Sequence, residues 1–187
     1  KRRLVFASFG EIIESHLAAV KFVRAFTEIA VGRQFKTVVT SAAGYPLDQN
    51  YYQTVKGMVT PLDILALGGT LIVASHCAEG IGSDHLRAAQ EKLVRLGPEA
   101  FLKTLQAKSL ADVDEWQTEM LLKPMRAGHV QLFTDGLSEA DFSVTGVERI
   151  TDLPGAISAS IAKHGDPDVA IIPEGPYVVP LQSQVSV

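Results

Sequence analysis

The chain has 187 residues, 17 Lys+Arg against 21 Asp+Glu for a formal net charge of −4, and one cysteine, Cys77. That length fits a single domain burying roughly 70% of its unfolded surface; the lone cysteine excludes an intrachain disulfide and points to a cytoplasmic setting. No apolar run nears the roughly 20 residues of a bilayer span, and the only basic run is the terminal trio Lys1, Arg2 and Arg3, which argues against a membrane protein and against nucleic acid. With 20% charged residues and a mean hydropathy of +0.16, the composition also hints at a face covered by another domain or subunit. Residues 4–8 read as a short strand. From Glu11, Ile13, Leu17, Val20, Val23, Phe26 and Ala30 recur at helical spacing, predicting a helix that ends at Gly32. Residues 36–40 are a β-branched strand that runs into a turn-rich segment, 41–50, and then a helix over 50–59. The next strand, 70–75, follows Gly68-Gly69, and its exit, 75–83, carries Gly80 and Gly82. Ser83 or Asp84 caps a helix to Leu96, and Pro98 opens a short helix over 99–106. A helix over 113–126 has Val113, Trp116 and Met120 on one stripe. Strand 129–134, helix 152–163 with Gly165 as its cap, and strand 169–172 follow. The tail, 173–187, reads as loop, partly disordered.

Strands separated by helices predict one α/β domain over residues 1–187, with a mixed or mostly parallel sheet and helices on both faces. There is no repeat and no interior linker. Ligands of such sheets bind at the carboxyl ends of the strands, so segments 8–11, 41–50 and 75–83 are expected along one edge.

The helix over 50–59 is the most informative. At 100° per residue Tyr51, Val55 and Met58 share one face, while Gln53 and Lys56 sit about 60° apart on the opposite side. A lysine ammonium there can hold a carboxylate as a point charge, and the Gln amide can donate to the same group or to a hydroxyl; the plain alternative is a solvated helix face. Segment 75–83 gathers His76, Cys77 and Glu79. Thiolate and imidazole suit transition metals, but no second Cys or spaced His completes a site, and CxxC, HExxH and Walker A patterns are absent. Gly80-Ile81-Gly82 lacks the third glycine of the dinucleotide fingerprint, which weakens a Rossmann-type dehydrogenase reading. A glycine turn beside a buried strand-end cysteine is the simpler account. On its stripe Trp116 reads as core, and His16, His85, His129 and His164 receive no catalytic role.

Taken together, Thr40-Ser41-Ala42-Ala43-Gly44-Tyr45-Pro46-Leu47-Asp48 and Tyr52-Gln53-Thr54-Val55-Lys56 resemble the nickel-pincer lactate racemase family, in its carboxy-terminal domain. The Glu79-Gly80-Ile81-Gly82 turn and the Pro173-Glu174-Gly175-Pro176 ending fit the same domain. The resemblance implies a domain that closes over the substrate of a racemase or epimerase of lactate-like 2-hydroxy acids. That reaction proceeds by hydride transfer to a nickel-pincer nucleotide tethered to a lysine of the amino-terminal domain. By the motif match Gln53 and Lys56 are substrate-side residues with Tyr52 beside them, and Trp116 stands where the family's carboxy-terminal tryptophan is expected. The resemblance places the acid/base histidines, the nickel ligand and the tether lysine in the amino-terminal domain. No catalytic residue or metal ligand is therefore expected in these 187 residues, and alone they are expected to be inactive. The implied partners are a small 2-hydroxy acid and the amino-terminal domain of the same protein. The competing reading is a stand-alone small-carboxylate-binding or interaction domain without catalysis.

Overall fold

Thr37–Thr40 and Thr70–Val73 are two unbroken runs of buried residues, the signature of strands covered on both faces. In the computed structural model, which describes residues 3–183, they are the middle of a five-stranded parallel sheet. Its strands are β2 (Phe35–Ser41), β3 (Leu65–Ala74), β4 (Gly128–Phe133), β5 (Glu148–Ile150) and β6 (Val169–Ile172), in the spatial order β5-β4-β3-β2-β6. Alternate side chains separate the two faces. On one, Thr37 and Thr70 meet helix α7 (Leu153–His164), with Thr37 Oγ1 2.7 Å from Ser160 Oγ and Thr70 Oγ1 3.0 Å from His164 Nε2. On the other, Val38, Leu71, Val73, Val130 and Leu132 join one apolar core with helices α2 (Tyr51–Val59), α3 (Asp84–Leu96), α4 (Pro98–Gln106) and α5 (Glu115–Ala127). Helices on both faces of a parallel sheet are the architecture expected from the alternating pattern.

Local chemistry sets the helix ends. Asn50 Oδ1 accepts from the Gln53 amide at 3.1 Å, and Ser83 Oγ, rather than Asp84, accepts from the Leu86 amide at 3.0 Å. Pro98 opens α4, and Gly165 closes α7 at φ +63°.

Three expectations need correction here, and two elements are new. Residues 4–8 form no strand; no strand edge meets them, and Phe6 instead stacks on Phe22, with ring centroids 4.6 Å apart. The first helix, α1, covers only Ile12–Thr27, because Glu28–Val31 is captured as β1 by parallel pairing with β7 (Val179–Gln182). The tail is accordingly not all loop: a 3-10 turn at Gly175–Tyr177 leads into β7, while residues 184–187 lie outside the described part. The short helix α6 (Glu139–Phe142) and strand β5 were not expected.

Candidate functional site

The exits of β2 and β3 are stitched together at the carboxyl edge of the sheet. Backbone amides of Cys77 and Glu79 donate to the carbonyls of Asp48 and Gln49 (both 2.7 Å), and those of Tyr51 and Tyr52 donate to Gly80 (2.9 Å) and Ile81 (3.1 Å). Segments 41–50 and 75–83 thus share one edge, as expected. Segment 8–11 follows no strand and leads instead into α1. The glycine turn sets the spacing: Gly82 lies at φ +118°, and a Cβ there would sit 3.0 Å from Tyr52 Cβ. From below, Thr54 Oγ1 meets Ser75 Oγ at 2.6 Å and the buried Cys77 Sγ at 3.2 Å, so Cys77 packs the underside of α2.

On this platform α2 presents Tyr52, Gln53 and Lys56 and α5 presents Trp116, and the structure brings together all four residues singled out by resemblance. Lys56 Nζ donates to Gln53 Oε1 at 2.7 Å and lies 5.2 Å from the Tyr52 ring centroid. The Tyr52 and Trp116 rings meet edge to face at 5.9 Å. Tyr51, Val55 and Met58 are buried on the other side of the helix. Trp116 is 46% exposed and is not core. The stripe that put it there fails because α5 starts at Glu115, leaving Val113 off the helix, and the chain turns through Asp114 at φ +60°. That turn is held by Ser83 Oγ donating to Asp114 Oδ2 at 2.6 Å, and Gln117 Nε2 donates to the Tyr52 carbonyl at 2.6 Å. Burial, with the Asp114 carboxylate nearby, pushes the Tyr52 phenol above its ordinary range. Tyr52 is therefore a neutral donor, the ammonium is pre-aimed by Gln53, and the two rings, set at right angles, form an apolar wall.

One pair escaped the sequence reading. His76 Nδ1 lies 2.6 Å from Asp135 Oδ1 at the exits of β3 and β4, beside a hollow of about 300 Å³ also lined by Ser41, Asp48 and Thr134. The hydrogen bond to His76 holds the Asp135 carboxyl below its usual range. Fifty-nine residues separate the two, and no spacing rule joins them; only strand order does. Among the described residues no group of three or more His, Cys, Asp or Glu could hold a metal ion, and no helix is long and apolar enough to cross a membrane.

The family described as Lactate racemase C-terminal domain matches residues 32–179. The curated lactate racemase of Thermoanaerobacterium thermosaccharolyticum is 28% identical over 183 residues, and that of Lactiplantibacillus plantarum is 25% identical over 185. Each match covers 95% of this chain and 42% of the relative, so the chain spans about two fifths of their length. Among solved structures, the lactate racemase apoprotein from T. thermosaccharolyticum superposes with a TM-score of 0.78 at 24% identity, covering 89% of this chain and 40% of that one. A crystal structure of a Thermotoga maritima protein gives 0.59 at 14% identity, covering 91% and 42%. Both structural likenesses are likenesses of fold.

Proposed function

Because the chain belongs to the lactate racemase C-terminal domain family, we propose that it is the substrate-capping domain of a racemase or epimerase of small 2-hydroxy acids. Its partner is the amino-terminal domain of the same protein, in the cytoplasm, where a free buried cysteine stays reduced. The observation that carries the reading is the Tyr52–Gln53–Lys56–Trp116 cluster formed between α2 and the start of α5.

The chemistry follows from what these groups can hold. Inverting a carbon that bears hydrogen, hydroxyl and carboxylate requires the substrate to be fixed so that one hydrogen faces the acceptor. Lys56 supplies a full positive charge for the carboxylate. Because the Gln53 carbonyl oxygen already accepts from Lys56, its amide NH₂ is left to donate to a carboxylate oxygen or to the hydroxyl. Tyr52 and Trp116 offer a wall to the apolar side of the acid and shield the ion pair from water, where screening would weaken it. The nickel-pincer nucleotide of the family supplies the hydride acceptor when bound. The cluster here, an ammonium, an amide, a phenol and an indole, is a set that recognises carboxylate and hydroxyl rather than nickel. The cofactor is therefore assigned to the amino-terminal domain.

The test uses a polypeptide joining this chain to the preceding half that its relatives carry. Lys56→Ala should lower kcat/KM about 30- to 1,000-fold, the equivalent of roughly 2–4 kcal/mol for a lost charge-assisted contact. Gln53→Ala should cost less, about 1–2 kcal/mol. Neither should lower the melting temperature appreciably, since both lie opposite the buried face of α2. Near-normal kinetics for Lys56→Ala would remove it from the site.

A further inference from the structure

Helix α1 is the anomaly of the structure. It is 16 residues long and buries none of its side chains, yet it is apolar around much of its circumference. Ile12, Val23 and Phe26 fall within about 60° of one another, and Ile13, Leu17 and Val20 extend the apolar residues over about half the helix, with His16, Arg24 and Thr27 interspersed. Exposure of these five runs from 49% at Val23 to 83% at Ile12. An apolar stripe of that width normally packs against a core, and large apolar side chains gathered on one exposed surface mark an interaction site.

The position of α1 says what covers it. The family match begins at residue 32, so α1 and β1 lie outside the domain proper, while the curated relatives match 95% of the chain and so include most of this segment. The domain is by description the C-terminal one, so the larger, unmatched part of the relatives precedes it. On this side β1 is tied to the domain by pairing with β7. Past the helix, Ile29 lines a second apolar groove between that ribbon and the β6 edge, together with Val31, Ile171 and Val178.

We propose that the half-circumference of α1 centred on Ile12, Leu17 and Val23 is the permanent docking face for the preceding domain, separate from the Tyr52–Lys56 cluster that the same domain would meet on closing. The proposal rests on the two-part reading above but not on its chemistry. One edge of the molecule stays joined, and the carboxyl edge of the sheet is left free to open and close.

The experiment compares the 187-residue chain with the longer polypeptide, each with and without the double substitution Leu17→Glu/Val23→Glu, which keeps helix propensity high. In the 187-residue chain the substitution should leave the melting temperature unchanged and reduce binding of an apolar fluorescent dye. In the longer polypeptide it should lower the melting temperature by roughly 5 °C or more and increase dye binding. The amides of α1 should exchange about 100-fold more slowly in the longer protein than in the shorter one. Equal exchange in both would overturn the proposal. So would a 187-residue dimer that the substitution dissociates, which would make a second copy the occupant, or a reading frame with no such half upstream of Lys1. Lys56→Ala kinetics fail or succeed independently of all these readouts, so a wrong substrate and a wrong docking face give different results.

Discussion

Trp116 shows how a residue's role turns on where its helix begins. Were α5 to start two residues earlier, its indole would share a face with Val113; starting at Glu115, it is left half-exposed at right angles to the Tyr52 ring. Trp116→Ala should therefore reduce kcat/KM of the longer protein roughly 2- to 12-fold through loss of an aromatic pair worth about 0.5–1.5 kcal/mol, with little change in melting temperature. A large melting loss with normal kinetics would return Trp116 to a packing role. His164 offers a pH test. Burial first, then the charges of Lys163 and Lys36, hold its imidazole below the ordinary range, against the pull of Asp166. The unfolded chain then binds the proton more readily than the folded one. Stability is full above about pH 6.5 and declines as pH falls through that value toward the lowered folded one. His164→Gln should flatten that decline, measured by urea unfolding at pH 7.5 and pH 5.5; identical slopes for both proteins would exclude His164 as its source.

Among the elements, the glycine turn positions α2. Gly82 and Gly97 both lie at positive φ, but only Gly82 has a neighbour where a side chain would go. Gly97→Ala, at φ +80° and ψ 161°, should cost the backbone penalty alone, about 1–3 kcal/mol, whereas Gly82→Ala adds a clash with Tyr52 to a penalty of the same kind and should cost more. Gly82→Ala alone should also shift the Tyr52 and Trp116 ring resonances; equal effects of the two would show that the turn does not set the site. The elements that were readable from sequence are those whose pattern is local. The cores of β2, β3, β4 and β6 are apolar or β-branched runs, and α2, α3 and α7 carry their own caps. What escaped depends on remote partners. β1 and β7 are strands only because Glu28–Val31 pairs with Val179–Gln182, and residues 4–8 have strand-like composition but no edge to join. The site divides the same way. Gln53 and Lys56 could be seen on one helix face, whereas the contact of Tyr52 with Trp116 and that of His76 with Asp135 join segments more than fifty residues apart.

At the scale of the whole molecule, the 187-residue chain alone should neither racemise D- or L-lactate nor carry nickel, measured by polarimetry and elemental analysis. Racemisation by the isolated chain would overturn the two-part reading, while tight lactate binding, with a Kd below roughly 0.1 mM and no turnover in the longer polypeptide, would favour the stand-alone binding module. The order β5-β4-β3-β2-β6 has a further consequence, for biosynthesis. β2 emerges from the ribosome long before its outer neighbour β6. Arg33 waits for Asp166, 133 residues downstream, and β1 waits for β7. Pairings of such long sequence separation fold slowly. Until β6 is made, one edge of β2 stays uncovered in the nascent chain, the condition in which chaperone capture competes with aggregation.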